Sequence, residues 1–328
     1  MKQLPANINI AYLMTICGGV LVSLLGLSVL TGWHTHNVTL IQVSAAFVPM
    51  QYNTALGFLL SGLGLLIISR GHSTIGTAIS ILTAFIGLLT LAEYILGISI
   101  GIDQLLMQHD ITVKTSHPGR MAPNTALCFL LVGTALASLS TTKILILKPS
   151  GIAGVLGSLS FGLGFVSLAG YQVGMETAYG WGQLTRMAVH TAAGFTVLGI
   201  TVISLAWFRS DTTDSELPSW LPAPVGISIL TIMVSMWQAI ASQETNSLKQ
   251  NGGTDIIPLV NDAFLSMGIL LAAAFAMTTY LAQAARRREQ HVETINLRLA
   301  SEIDERKAAE KTLRESEERW NFALEGGR

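Results

Sequence analysis

Three copies of a short motif place an amide or an imidazole side chain at equivalent points along the chain. The motif reads Met-x-x-(Asn or His)-Thr-Ala-x-x-Phe, and its central positions are Asn53, Asn124 and His190. An amide can cap the first turn of a helix or bind a ligand. An imidazole can also titrate near neutral pH or hold a metal or haem. These positions are the first candidates for a binding site, with helix capping as the alternative for the two asparagines.

A few ionisable side chains interrupt the apolar part of the chain, and each is a candidate for function. Glu93 lies within a long apolar run, where an ionisable group is by default a functional candidate, and Tyr94 follows it. Arg120 and Arg186 directly precede motif methionines and can hold a carboxylate, a phosphate or a lipid headgroup, or simply anchor the chain at the interface. The candidate ligand-binding residues are therefore Asn53, Glu93, Tyr94, Arg120, Asn124, Arg186 and His190.

Histidines and methionines recur near these positions, and together they suit copper, or zinc for histidine alone. His34 and His36 form the closest pair, but no tight ligand spacing such as H-E-x-x-H occurs. A Walker loop, a nucleophile elbow and a clustered carboxylate pair in an aqueous segment are also missing. The sequence thus predicts no catalytic residue in this chain and firmly implies no cofactor, with His34 and His36 as the remaining metal candidates.

The composition is that of a membrane protein. Half of the residues are hydrophobic and 12% are charged, against roughly 25% charged residues in an average soluble domain. The formal net charge of -1 suggests no nucleic-acid partner. Of the 39 charged residues, 20 lie in the last 44 positions of the chain, 285–328. A membrane region in contact with the lipid bilayer is therefore followed by a highly charged segment.

Eight apolar runs approach or exceed the roughly 20 residues that a membrane-spanning helix needs. The motif opens every second run from the second onward, and a weaker fourth match surrounds Asn261, so that the copies recur every 66–71 residues. A fixed period of this size indicates repeated supersecondary units. We expect an all-α integral membrane protein with about eight transmembrane helices arranged as four repeated helix pairs.

The distribution of Lys and Arg predicts the orientation. With the amino terminus inside, the cytoplasmic side carries eight of these residues around the spans and the outer side carries four. This excess favours both termini in the cytoplasm. The motif copies then converge at the outer face, where we expect a polar pocket near Asn53, Glu93, Asn124 and His190.

The charged segment begins with Arg286-Arg287-Arg288, and an apolar stripe follows. The stripe favours a short parallel two-helix connector, and hence a homodimer, over a single solvated helix, although the heptad pattern decays after it. We divide the chain into a cytoplasmic tail (1–8), an eight-helix sensor domain (9–284), a signalling helix (285–316) and the start of a PAS domain (317–328). The predicted relay residues are Arg286, Val292, Ile295, Leu299 and Ile303.

Two stretches carry a resemblance to a known class. The run R-K-A-A-E-K-T-L-R-E-S-E-E-R-W-N-F-A-L-E-G-G, from Arg306 to Gly327, resembles the helix that leads into a PAS domain. G-I-D-Q-L-L, from Gly101, and P-G-R-M-A-P-N-T-A-L-C-F-L-L, from Pro118, resemble multi-pass membrane input regions that precede PAS and GGDEF or EAL domains in bacterial cyclic-di-GMP enzymes. Similar regions precede sensor histidine kinases.

The resemblance implies a sensor in the bacterial inner membrane that responds to an unknown small-molecule or lipid signal. Its output is expected to be cyclic-di-GMP synthesis by a diguanylate cyclase, with a histidine kinase as the alternative. The chain stops before any PAS core or output motif, so the output is inferred from a neighbour. A transporter or a haem- or metal-binding membrane protein is the competing class, because repeats and intramembrane polar residues are also typical of those. An oligomeric scaffold without a ligand is a third possibility.

Overall fold

The computed structural model describes residues 6–109, 111, 113–140, 148–210, 217–251 and 258–325. These ranges contain helices and no strands. Eight of the helices are long and apolar enough to cross a membrane. The prediction of an all-α membrane protein is therefore confirmed as far as helix content and the number of candidate spans are concerned. The helices are α1 (Ala6–His34), α2 (Val38–Gln42), α3 (Tyr52–Ser69), α4 (Ser73–Leu96), α5 (Pro123–Ser140), α6 (Pro149–Val173), α7 (Glu176–Tyr179), α8 (Val189–Phe208), α9 (Pro222–Asn251) and α10 (Pro258–Glu325).

Helix ends follow the local sequence. α5 begins at Pro123 and α6 at Pro149, where the fixed φ of proline suits a first helical turn and its missing N–H costs no hydrogen bond. Gly97 and Gly174 end α4 and α6 in the left-handed conformation, with φ of 65° and 69°. Only glycine adopts this conformation without steric cost, so both helices stop there and the chain turns back over the bundle.

The three helices that begin with the motif form the centre of the bundle. In α3, α5 and α8, 61–67% of the span residues are buried, against 28–50% in α1, α4 and α6. The motif phenylalanines Phe58, Phe129 and Phe195 meet there, with ring centroids 4.7–5.2 Å apart in tilted or edge-to-face arrangements. Such pairs add to the stabilisation from burial alone. The motif phenylalanine therefore joins three units into one core.

Three further long helices, α1, α4 and α6, complete a closed ring around this core. α1 packs on α3, α4 on α5 and α6 on α8, while α3 with α4, α5 with α6 and α8 with α1 close the remaining gaps. In each pair a glycine of the outer helix lies so close to the carbonyl oxygen of the motif alanine that an added Cβ would come within 2.4–3.0 Å of it. Small residues of this kind let membrane helices approach closely. The pairs are Gly26 with Ala55, Gly87 with Ala126, and Gly164 with Ala192.

A second set of equivalent contacts closes each pair at the end where α3, α5 and α8 begin, which we call the motif end. Near the end of each outer helix, an aromatic side chain donates a hydrogen bond of 2.8–3.0 Å to the carbonyl oxygen of the motif methionine. Each of these carbonyl oxygens lies just before a motif helix, so that no N–H group of that helix donates to it. The donors and acceptors are Trp33 with Met50, Tyr94 with Met121, and Tyr171 with Met187.

The fourth match does not share these contacts among the described residues. Phe264, its phenylalanine, is only partly buried and is not part of the main apolar core. Gly268 of α10 packs on Met233 of α9, and α9 itself packs on α6 and α7. The prediction of four equivalent helix pairs is therefore not confirmed as a whole.

Contacts divide the chain into two units, Met1–Thr279 and Tyr280–Arg328. In the second unit α10 is highly charged, and its predicted apolar stripe is 42–56% exposed at Val292, Ile295, Leu299 and Ile303. The stripe thus lacks a partner within the described part of the chain. The predicted division at 284/285 and at 316/317, and the relay role of these residues and of Arg286, stay predictions.

Candidate functional site

Three ionisable side chains form a buried cluster at the motif end, which we call the arginine cluster: Glu93, Asp103 and Arg120. Nε of Arg120 lies 2.8 Å from Oδ2 of Asp103 and 3.4 Å from Oε2 of Glu93. The exposed fractions of the side chains are 2% for Arg120, 0% for Glu93 and 8% for Asp103. A free ligand therefore has no direct access to these charges.

The backbone around the arginine cluster supplies further partners. The N–H of Ile100 donates to Oε1 of Glu93 at 2.7 Å, and Nη2 of Arg120 donates to the carbonyl oxygen of Ile98 at 3.2 Å. The guanidinium carbon of Arg120 lies 5.3 Å from the centre of the Tyr94 ring, in a cation–π arrangement. The cluster thus ties the loop after α4 to the residue that directly precedes the second motif.

The charges of the arginine cluster do not balance. Two carboxylates face one guanidinium, and two buried oxygens, Oε2 of Glu93 and Oδ1 of Asp103, accept no hydrogen bond. A buried charge without full compensation costs several kcal/mol. A proton held by one of the two carboxyl groups would remove the surplus charge and supply a donor.

A second ionic cluster has the opposite balance, with two cations around one carboxylate. Oε1 of Glu176 lies 2.5 Å from Nζ of Lys114, and Oε2 of Glu176 pairs with Nη1 of Arg186. The hydrogen bond from Lys114, followed by the charge of Arg186, lowers the pKa of Glu176 below its usual range. Since Lys114 and Glu176 are 35% and 43% exposed, solvent screens this cluster and its contribution to stability is small.

The loops that carry these clusters are joined to one another. The N–H of Arg186 donates to the carbonyl oxygen of Lys114, and Ser116 and Thr185 exchange hydrogen bonds of 3.0–3.2 Å. The rings of Tyr171 and Tyr179 stack with centroids 3.9 Å apart, and burial raises the pKa of Tyr179. The motif end of the bundle is therefore covered by packed loops.

Each central motif residue is the second residue of its helix and does not occupy the N-cap position. The residue before α3 is Gln51, and the Asn53 side chain makes no hydrogen bond although its polar atoms are buried. Neither ring nitrogen of His190 makes a hydrogen bond of normal geometry, although the Ile41 backbone interacts with the ring. Asn124 is better satisfied, with Oδ1 accepting from the Thr125 N–H at 3.0 Å and Nδ2 donating to the Tyr179 carbonyl at 3.4 Å.

The structure distributes the predicted ligand-binding residues over several places. Asn124 lines a cavity of about 400 Å³ between α6, α7 and α9. Glu93 and Arg120 belong to the arginine cluster, the Tyr94 ring lies against Arg120, and Arg186 belongs to the second ionic cluster. Asn53 and His190 do not line the cavity. One open pocket shared by Asn53, Glu93, Asn124 and His190 is not observed in the described part of the chain, and a ligand role for each residue stays a prediction.

The metal candidates have ordinary surroundings. Nε2 of His34 lies 3.2 Å from the hydroxyl of Tyr52, and His36 has a positive φ of 53° in the turn after α1. Within the described residues, no three His, Cys, Asp or Glu side chains are grouped in a way that suits a metal ion.

Several residues of the motif end were not predicted from the sequence. Asp103, Lys114 and Glu176 complete the two ionic clusters, and Trp181 and Trp237 line the cavity. Asp103 lies in the G-I-D-Q-L-L stretch, but nothing in its spacing indicates Arg120 as its partner. From the sequence, both tryptophans are most simply interpreted as interfacial belt residues, because tryptophan is common near the ends of membrane helices.

Comparison with known proteins adds no assignment. No protein-family model, no curated protein and no solved structure matches the chain.

Proposed function

We propose that the chain is a membrane-embedded sensory region that relays a signal from its motif end to a cytoplasmic output. The observation that carries this proposal is α10, a single helix of 68 residues that contains both the last candidate membrane span and the charged segment. A helix without a break can transmit a shift or a rotation along its axis, because its backbone hydrogen bonds hold every turn to the next.

The closed ring of six helices supports a sensory role in a second way. Packed interfaces between helices shift between discrete arrangements and do not deform continuously. A ligand drives such a shift only through its different affinity for the two arrangements. The loops that join at the motif end would give a bound signal direct contact with several helix pairs at once.

The finer features of the proposal rest on the sequence. The excess of Lys and Arg favours both termini in the cytoplasm, with the motif end at the outer face of the membrane. The resemblance favours the inner membrane of a bacterium. The resemblance of Arg306 to Gly327 to a pre-PAS helix favours cyclic-di-GMP synthesis as the output, and a histidine kinase is the alternative. The exposed apolar stripe of α10 favours a homodimer that covers it.

Insertions into α10 test the relay. We would fuse the chain to a diguanylate cyclase domain and insert either two or seven residues after Ala300, in the exposed part of the helix. An insertion of two residues rotates the output domain about the helix axis by about 200°. An insertion of seven residues leaves the domain within about 20° of its original orientation. The expected result is a changed cellular level of cyclic-di-GMP for the two-residue insertion and a retained level for the seven-residue insertion. Equal levels in all three proteins would contradict a relay through α10.

The same insertions in a fusion to a histidine kinase distinguish the two outputs. If the two insertions differ in cyclic-di-GMP synthesis but not in autophosphorylation, the cyclase is favoured as the output. If they differ in autophosphorylation but not in cyclic-di-GMP synthesis, the kinase is favoured. Western blotting of membrane fractions controls for the amount of each fusion.

A further inference from the structure

The cavity of about 400 Å³ lies at the motif end, where α6, the loop after α7 and the second half of α9 face the first turn of α5. Its volume falls within the range of known small-molecule sites, about 300–1,000 Å³. Six of its lining residues carry the argument: Asn124, Thr177, Trp181, Trp237, Gln238 and Ser242.

The lining of the cavity is uncharged. None of the described residues that line it has an ionisable side chain. Glu244 directly precedes the lining residue Thr245 but does not itself line the cavity. Glu176, which precedes the lining residue Thr177, is paired with both Lys114 and Arg186. A charged ligand would lose its hydration on entry without gaining a counter-charge, which is unfavourable. The cavity therefore suits a neutral molecule.

The polar groups of the lining are amides and hydroxyls. Thr177 donates its hydroxyl hydrogen to the carbonyl oxygen of Ala239 at 2.7 Å, which joins α7 to α9 and leaves the oxygen as an acceptor. The amide nitrogen of Asn124 makes a long hydrogen bond of 3.4 Å to Tyr179 and has a second hydrogen to donate. Groups of this kind recognise hydroxyl and amide groups on a ligand.

Two indole rings are the largest apolar groups of the lining. Trp181 and Trp237 are both partly buried at the cavity, and an indole offers a large flat apolar face at low entropic cost. Two lining residues, Gln238 and Ser242, are polar and exposed and form the mouth that we assign to the cavity. Their polarity favours entry from water over entry from lipid tails. A ligand with an apolar face and a polar rim fits both surfaces.

We propose that this cavity binds an uncharged, water-soluble molecule with hydroxyl or amide groups around a small apolar face, as in a neutral monosaccharide. Binding itself does not depend on the proposed sensory function. The further statement that this molecule is the signal rests on that function.

The test uses the whole chain in lipid nanodiscs, with tryptophan fluorescence and the midpoint of thermal unfolding as readouts. The neutral probes are glucose and N-acetylglucosamine, and the matched charged probes are glucuronate and glucosamine. We expect a saturable fluorescence change and a rise of the midpoint with either or both neutral probes, because a ligand that binds only the folded state stabilises it. The charged probes are expected to bind at least about tenfold more weakly.

Two neighbouring residues of α9 provide a variant and its control. Ser242 and Gln243 are both exposed, but only Ser242 lines the cavity. Ser242→Phe fills the mouth and is expected to weaken binding at least about tenfold, whereas Gln243→Phe adds the same ring outside the cavity and retains wild-type affinity. Since neither side chain is part of the core, both variants are expected to fold.

Three results would overturn the proposal: no response to either neutral probe, equal affinity for the charged probes, or equal affinity in the two phenylalanine variants. A response that follows the expected pattern, but without any change of cyclic-di-GMP or phosphorylation in the fusion proteins, would support the site and contradict only its role as the signal.

Discussion

Arg120 and Glu93 face each other inside the bundle, with Nε of the arginine 3.4 Å from Oε2 of the glutamate and neither side chain exposed by more than 2%. Asp103 approaches the same nitrogen at 2.8 Å. This arrangement places one cation between two carboxylates at the point where α4, its following loop and α5 meet. The arginine is thus the residue on which the compensation of this buried charge depends.

Loss of this arginine is expected to destabilise the bundle strongly. Arg120→Met leaves two carboxylates buried without a cation, and the loss of one partner of a buried pair typically costs about 3–5 kcal/mol. Arg186→Met breaks a partly exposed pair and is expected to cost less than about 1 kcal/mol. The measurement is the free energy of unfolding in mixed detergent micelles. Similar losses for both variants would show that burial does not distinguish the two clusters.

The second ionic cluster is expected to make stability depend on acidity. Because the folded state lowers the pKa of Glu176 below its ordinary value of 4.5, the ionised form stabilises the fold above that value. This stabilisation is lost as the pH falls through the lowered pKa. Glu176→Gln should therefore lower the unfolding midpoint at pH 7 and have progressively less effect as the pH falls below 4.5 and through the lowered pKa. A difference that stays constant over this range would contradict the assignment.

The contact of α3 with α5 is expected to require a glycine at position 57. A Cβ atom there would lie 2.6 Å from the Phe129 ring, whereas one at Gly64 of the same helix would have its nearest neighbour at 3.4 Å, an ordinary contact distance. We expect Gly57→Ala to cost about 1–3 kcal/mol, as overpacking typically does, and Gly64→Ala to be nearly neutral. Chemical unfolding monitored by circular dichroism compares the two. A larger loss for Gly64→Ala would contradict the close packing around the phenylalanine cluster.

The hydrogen bond from Tyr171 to the Met187 carbonyl oxygen, 2.8 Å long, is expected to hold α6 to the start of α8. Tyr171→Phe leaves a buried carbonyl without this donor, at a cost of about 1–3 kcal/mol. Tyr280→Phe provides the control, because Tyr280 is 59% exposed. Hydrogen exchange should increase at the start of α8 in the first variant and remain unchanged there in the second.

The apolar stripe of α10 predicts a disulfide crosslink between two copies of the chain. Leu299 belongs to the stripe, and Ser301 lies about 200° around the same helix; both are exposed. In a Cys17→Ser background, Leu299→Cys should form crosslinked dimers in membranes under mild oxidation, and Ser301→Cys should form fewer. Equal crosslinking of both would indicate random collision and contradict a parallel connector along this stripe.

The sequence by itself determined the class of the fold and the positions of its spans. Long apolar runs with few charges have no stable alternative to a membrane helix, because the backbone must satisfy its own hydrogen bonds in lipid. The equal spacing of the motif likewise indicated units that repeat. Both conclusions depend on local composition and period, which a single sequence contains in full.

Only the tertiary structure decided what the motif does. Its alanines, phenylalanines and methionine carbonyls make the contacts that join three helix pairs, although the pattern alone was equally compatible with a ligand pocket or with caps. Asp103 as the partner of Arg120 and the tryptophan-lined cavity beside Asn124 also appeared only there. Such contacts depend on which helix faces meet and how loops fold over them, and these relations join residues far apart in the chain.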